Sequence, residues 1–259
     1  MKKINKKKII ELLEKNIVDN SSPILDIKGG GTDFYIFDDN INEYLGVYDY
    51  GKEPYYDIAS MNTDFFIECL KQIKFDNYDF VKLSVINREF LMNTHLTSIF
   101  QVNNINSYSD LRFSSNLSFN DLASNIRKLT KNDRDIAENV LHEQTEGRPP
   151  FTFLFEHFVE KENGVIHSII ENQKIIAFLS SFNTYKNISD VDYIYVFPHK
   201  RGLGYGTDLI KAYVIYSLKN NTVPVYNHAV NKYSINAAEK VGFKKIRTVY
   251  TCELKKIVK

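Results

Sequence analysis

The run Tyr195-Val196-Phe197-Pro198-His199-Lys200-Arg201-Gly202-Leu203-Gly204-Tyr205-Gly206-Thr207-Asp208-Leu209 is the part of this sequence best suited to chemistry. It lies between an apolar, strand-like stretch and a helix-like one. Gly202, Gly204 and Gly206 let the backbone pass close to a ligand and reach positive φ. At the start of a helix the first N–H groups have no intrahelical acceptor, and the helix dipole adds positive potential. Such an elbow binds phosphate. Arg201 supplies a cation, and Pro198, which cannot donate to a ladder, ends the strand. A glycine-rich strand-to-helix turn without any ligand explains the glycines alone equally well.

Two other phosphate motifs fit worse. A P-loop ends in Gly-Lys-Ser/Thr, whereas Gly206 is followed directly by Thr207. A dinucleotide fingerprint needs its third glycine later and an acidic residue about 20 positions on. Residues 223–226 supply none. His142-Glu143 opens like a zinc motif, but no second His follows at the required spacing. The only cysteines, Cys69 and Cys252, are far apart in sequence, so neither a metal site nor a disulfide scaffold is expected.

Around the elbow the pattern predicts strands over 165–170, 175–182 and 191–197, the first two joined by a turn at Glu171-Asn172-Gln173. A helix follows with Leu209, Ile210, Tyr213, Val214 and Leu218 on its buried side. Then come a strand over 223–226, a helix over 234–241 stopped by Gly242, and a strand over 245–254. Upstream, 126–129 reads as a strand, 133–143 as a helix, and Phe151, Phe155 and Phe158 as one face of a second. The Ser/Asn-rich stretch 107–125 reads as a domain boundary. Before it, strands are predicted over 55–59, 80–86 and 99–102, and a helix from Asn62 or Thr63 through Phe66, Leu70 and Ile73. The first helix carries Ile9, Leu13 and Ile17 and ends at Pro23 and Gly29-Gly30-Gly31, which reads as a loop.

The chain has 259 residues, enough for one to two domains at about 150 residues each. With 43% hydrophobic and 14% aromatic residues it can bury a core. The net charge of +1 excludes a strongly basic nucleic-acid footprint over the whole chain. No stretch approaches the roughly 18 apolar residues of a membrane helix. Met1-Lys2-Lys3 looks like the start of a signal peptide, but Glu11, Glu14 and Lys15 occupy the place of its apolar segment. Few cysteines fit a reducing cytosol, so a cytoplasmic location is expected. The absence of Trp beside many Asn, Ile and Lys residues points to an AT-rich bacterial genome.

At this point the sequence resembles the GNAT superfamily of acyl-CoA-dependent N-acyltransferases. That family's pyrophosphate motif reads Arg/Gln-x-x-Gly-x-Gly/Ala after a strand ending Val-x-Pro. Val196-Phe197-Pro198 and Arg201-Gly202-Leu203-Gly204-Tyr205-Gly206 match at each defined position. Asn231-Lys232-Tyr233-Ser234 and Glu239-Lys240-Val241-Gly242-Phe243 look like its later Asn-x-x-Ser/Ala and Glu-Lys-x-Gly-Phe block. The resemblance implies an α/β fold with a mixed, mainly antiparallel central sheet flanked by helices, over 124–259. Residues 1–118 would form an additional N-terminal α/β lobe, whose element order echoes a degenerate GNAT copy.

The resemblance also implies acetyl-CoA as acyl donor and a primary amine as acceptor, on a small molecule, peptide or protein. The backbone of Ile194, Tyr195 and Val196 would pair with the pantetheine arm. The amides of Arg201, Gly202, Leu203, Gly204, Tyr205, Gly206 and Thr207 would hold the pyrophosphate. Asn231 would contact the cofactor's arm, with an ordinary helix cap as the competing role. The acceptor would lie beside 143–158, where Glu143 and Glu146 attract a cation and Phe151 and Phe155 line a pocket. Transfer of a longer acyl group, and a non-catalytic acyl-CoA sensor or interaction module, are the alternatives.

An ammonium must lose a proton before it can attack. Asp190 and Asp192 are candidate bases, since an unbroken strand puts them in phase with Ile194 and Val196; Asp190 matches the base of the histone-acetyltransferase branch. His228 is another candidate, its unperturbed pKa suiting the work, and a water relay is the alternative to any single base. For the leaving thiolate, several branches carry a Tyr where this chain has Ala238. Tyr233 and Tyr205 are the nearest replacements. The oligomeric state is not legible.

Overall fold

A computed structural model describes residues 2–16, 18–37, 40–49, 53–75, 78–114, 125–140 and 150–257. The chain divides into two compact units, one of Met1–Ser109 with Arg247–Lys259 and one of Asp110–Ile246.

The first unit begins with β1 (Lys2–Ile4), α1 (Lys6–Leu13), α2 (Ser21–Gly30), β2 (Gly31–Phe37) and β3 (Asn40–Asp49). It continues with β4 (Pro54–Ala59), α3 (Thr63–Leu70), β5 (Val81–Val85), α4 (Thr94–Ile99) and most of β6 (Phe100–Phe113). In α1 the side chain of Asn5 accepts from the Lys8 N–H and so caps the helix, which buries Ile9 and Leu13 one turn apart. Strands β1 to β4 pair antiparallel in sequence order, and β5 runs parallel to β4. The core gathers Phe65, Phe66, Leu83, Phe90 and Leu254. Gly29 and Gly30 close α2 and Gly31 opens β2, so the predicted glycine loop is a direct helix-to-strand junction.

The second unit repeats the order: strand, two helices, three strands, helix, strand, helix, strand. Its elements are β7 (Ile126–Lys128), α5 (Arg134–Glu138), α6 (Phe151–Phe155), β8 (Val165–Glu171), β9 (Lys174–Asn183) and β10 (Ile188–Val196). Then follow α7 (Tyr205–Lys219), β11 (Val223–Ala229), α8 (Lys232–Val241) and the start of β12 (Phe243–Lys256). Strands β7 to β10 pair antiparallel and β11 runs parallel to β10. Asn172 and Gln173 both take positive φ, as a two-residue hairpin turn between β8 and β9 demands. Gly242 ends α8 in the left-handed region, at φ 104°.

Two strands depart from the predicted organisation. Residues 107–113, read as boundary, complete the 14-residue β6, and its last part lies next to β11 within the second unit. The end of β12 returns to the first unit, where Tyr250–Leu254 pair with Val81–Val85. Each repeat's last strand thus supplies the neighbour of the other repeat's parallel strand. Residues 115–124, around the expected division, lie outside the described residues. No helix among the described residues is long and apolar enough to cross a membrane.

Candidate active site

The glycine elbow leaves β10 through Pro198 and enters α7. Gly202 and Gly204 take φ of 81° and 87°, a region that strains any residue with a Cβ. A Cβ built at either would meet nothing within 4 Å, so the face in front of both glycines is open. Gly204 is the N-cap of α7, and no side chain caps that helix. Asp208 is the first residue to donate within the helix, to Gly204 O, so the N–H groups of Tyr205, Gly206 and Thr207 precede the ladder. An open cradle of backbone donors at a 15-residue helix fits a pyrophosphate.

The elbow is clamped from outside. Glu171, ending β8, accepts from Tyr205 Oη at 2.6 Å and from Lys200 Nζ at 2.5 Å. These bonds, Lys200 foremost, hold its carboxyl below the usual carboxylate range, and the bond to Glu171 pushes the Tyr205 phenol up. Arg201 Nε donates to Val196 O at 3.1 Å, with its guanidinium 5.6 Å from the centre of the Tyr195 ring. Arg201 therefore seals the end of β10 beside the elbow.

Below the elbow the sheet forks. The rungs between β10 and β11 stop at Asp190↔Val225, although both strands continue. One residue later β10 bulges: Val191 opposes Ser181, but Tyr193 opposes Ser180, leaving Asp192 as the extra residue. Past the bulge Phe197 N donates to Ile176 O on β9. Antiparallel alternation then turns the N–H and C=O of Ile194 and Val196 toward the side that β11 has left. Tyr213 of α7 pins the crotch: its hydroxyl donates to Ser189 O and accepts from Val225 N, one backbone group on each strand.

The bulge breaks the expected phase of the two aspartates. Asp190 opposes Phe182, on the face that carries Tyr193 and Tyr195 beyond the bulge, so it does not share a face with Ile194 and Val196. Asp190 is 5% exposed, and its carboxylate accepts from Asn227 N at 3.0 Å and from Asn227 Nδ2 at 2.7 Å. It takes over the β11 donor that the fork deprives of a backbone partner. Asn227 Oδ1 accepts in turn from buried Arg112 at 2.7 Å. Burial raises the Asp190 carboxyl to about 7, against the lowering effect of Asn227 and Arg112.

Asp192 is exposed, and its Oδ2 accepts from Ser180 Oγ at 2.9 Å. Crowding by the surrounding protein nevertheless raises its carboxyl, opposed by the Ser180 bond and by His157. His157 sits in a π-helical turn, Glu156–Glu160, that continues α6. Such turns concentrate at functional sites.

The remaining candidates lie apart. His228 takes φ 56° on β11, its N–H donating to Asp110 Oδ1 at 3.1 Å and its side chain exposed. Asn231 caps α8, its Oδ1 accepting from Tyr233 N at 2.8 Å. Tyr233 is 83% exposed, Tyr205 is bound to Glu171, and Ala238 is fully buried. Phe151 and Phe155 are core residues, Phe151 packing edge-on against Phe178 at 4.6 Å. His142, Glu143 and Glu146 lie outside the described residues. Among the described residues no cluster of His, Cys, Asp or Glu could hold a metal ion.

Among the described residues, the first unit has the same element order but differs at the corresponding strand pair and helix start. Its β4–β5 pairing runs to Ile58↔Val85, one residue short of the end of β4. At the start of α3, Asn62 Oδ1 accepts from Asp64 N at 2.9 Å and Phe65 N at 3.2 Å, so the donors an anion would use are taken.

The sequence profile of the GNAT acetyltransferase family matches residues 71–252, and the chain belongs to that family. Solved structures show the same fold. A GNAT-family acetyltransferase from Colwellia psychrerythraea is 11% identical at a TM-score of 0.59, over 98% of this chain and 99% of that one. A GCN5-related N-acetyltransferase-like protein from Streptococcus suis is 15% identical at 0.51, over 97% and 100%. A tandem GNAT protein from the clavulanic acid biosynthesis pathway is 10% identical at 0.55, over 100% and 99%. No curated protein sequence matches the chain.

Proposed function

We propose that the second unit transfers an acetyl group from acetyl-CoA directly to a primary amine, with one donor bound per chain. One observation carries this reading: the uncapped helix start, the fork and the bulge all fall within the single segment 190–207. The N–H groups from Gly202 to Thr207 hold the pyrophosphate, that of Arg201 being already bonded to Pro198 O at 3.3 Å. The edge of β10 that β11 has left, at the C=O of Ile194 and the N–H of Val196, pairs with the amides of the pantetheine arm, the C=O of Val196 being taken by Arg201. Gly206 faces this stretch of β10, a Cβ there lying at ordinary contact distance from Val196 Cγ2, 3.9 Å, and Ile194 Cδ1, 4.0 Å. A fork-facing N–H of β10, such as that of Ile194, stabilises the carbonyl oxygen as it gains negative charge. With neither Tyr205 nor Tyr233 in the fork, solvent protonates the departing thiolate.

The test is turnover. The protein, acetyl-CoA and a set of primary amines (spermidine, tyramine and lysine amide) should release CoA thiol and give an acetylated amine by mass spectrometry. A second reading, a non-catalytic acyl-CoA sensor, is favoured by Ala238 in the place of a family tyrosine. It predicts tight binding of acetyl-CoA with no acetylated product from any amine. Comparing acetyl-CoA with longer acyl-CoAs separates the acyl-chain alternatives.

A further inference from the structure

We infer that Ser180 is a positioning residue for this transfer: its buried hydroxyl holds the bulge carboxylate of Asp192 where that carboxylate takes the proton from an incoming ammonium group. The inference rests on the amine-transferase reading above.

Four observations on the acceptor side converge. Asp192 is the extra residue of the bulge, just past the last rung between β10 and β11, and its side chain turns onto the sheet face that carries Ser180. It is exposed, so an amine can reach it and a proton can leave it for solvent. Asp190, the other carboxylate of this strand, has both oxygens engaged by Asn227 and is buried. Ser180 itself is fully buried, between Phe178 and Phe182 on its face of β9, and its hydroxyl donates to Asp192. A buried hydroxyl on that face needs a partner, and the bulge provides one.

The face is well defined. Ser180 lies between Phe178, which packs on Phe151 of α6, and Phe182, which packs on Phe158 of the π turn. The π turn contributes His157 as the titratable group toward Asp192, and Asp190 is the nearest acid on the same strand. His157 itself stacks on Phe153, with ring centres 6.3 Å apart and planes 12° from parallel.

The proton balance is simple. The ammonium gives one proton to the Asp192 carboxylate, which passes it to solvent. The neutral amine nitrogen then bonds to the thioester carbon, and the C–S bond breaks. The second nitrogen proton is lost as the amide forms, and the thiolate leaves protonated as CoA. A hydrogen bond to the ionised carboxylate favours that form. Ser180 therefore keeps Asp192 ionised at lower pH than its crowded position would otherwise allow.

Two measurements on the full chain test this. The first follows the Asp192 carboxyl by NMR in the wild type and in Ser180→Ala. The midpoint should rise by about one pH unit, the size expected for a hydrogen bond to a charged group. The second is the pH profile of kcat/KM with spermidine, tyramine and lysine amide. Its acidic limb should move up with the midpoint in Ser180→Ala and vanish in Asp192→Asn, while the KM for acetyl-CoA stays unchanged in both. An unmoved NMR midpoint overturns the role of Ser180. An acidic limb that survives in Asp192→Asn overturns the role of the bulge carboxylate. A wild type that binds acetyl-CoA yet acetylates none of the amines overturns the transferase reading instead, and the titration still decides what Ser180 does to Asp192.

Discussion

Asp190 and Asp192 stand two residues apart and meet opposite environments. Burial raises Asp190 to about 7 from an ordinary value near 4. The folded protein therefore holds that proton more tightly than the unfolded chain. The stability it contributes is complete below about pH 4 and lost as pH rises through about 7. Asp190→Asn does not titrate, so its melting temperature relative to wild type should climb between about pH 4 and about pH 7 and then level off. A difference that stays flat over that range would show that Asp190 is not buried in this way. Sequence reasoning found both aspartates but placed them in phase with Ile194 and Val196, which holds only for an unbroken strand. One extra residue reverses the alternation, and nothing in Asp190-Val191-Asp192 announces it. Asn227 and Ser180 escaped notice because both are uncharged residues in strands rich in apolar neighbours.

The elbow was readable as an element because its physics is local. A proline that ends a strand and glycines at alternate positions specify a tight, ligand-facing turn before a helix. Its clamp was not readable, since Glu171 is 34 residues from Tyr205 and is brought there by the β8–β9 hairpin. Strand β6 was missed over 107–113 because its polar middle resembles a linker, whereas Asp110, Leu111 and Arg112 become buried beside β11. At Gly204 the left-handed backbone and the open space in front separate two effects. Gly204→Ala should lose about 1–2 kcal/mol of stability to backbone strain and keep its affinity for acetyl-CoA. Gly204→Glu should lose a similar amount and also lose binding, because a carboxylate would occupy the phosphate cradle. Thermal melts with and without acetyl-CoA check both, a ligand at 100 times its Kd being expected to stabilise by about 2.7 kcal/mol. Equal ligand shifts in the two variants would count against the cradle.

The two units share one order of elements, and among the described residues only the second carries an open helix start and a forked parallel pair. The sequence hinted at this repeat through the strand, helix and strand over 55–86, but the exchange of last strands joins residues more than about 100 positions apart and had no local mark. Asn62 marks the difference at the helix start: its capping side chain satisfies donors of α3 of the kind that the glycines before α7 leave open. The most direct measurement is calorimetric titration of the full chain with acetyl-CoA, in the wild type, Gly204→Ala and Gly204→Glu. One site per chain, retained in Gly204→Ala and lost in Gly204→Glu, is the predicted result. Two sites, or a single site that survives Gly204→Glu, would contradict it.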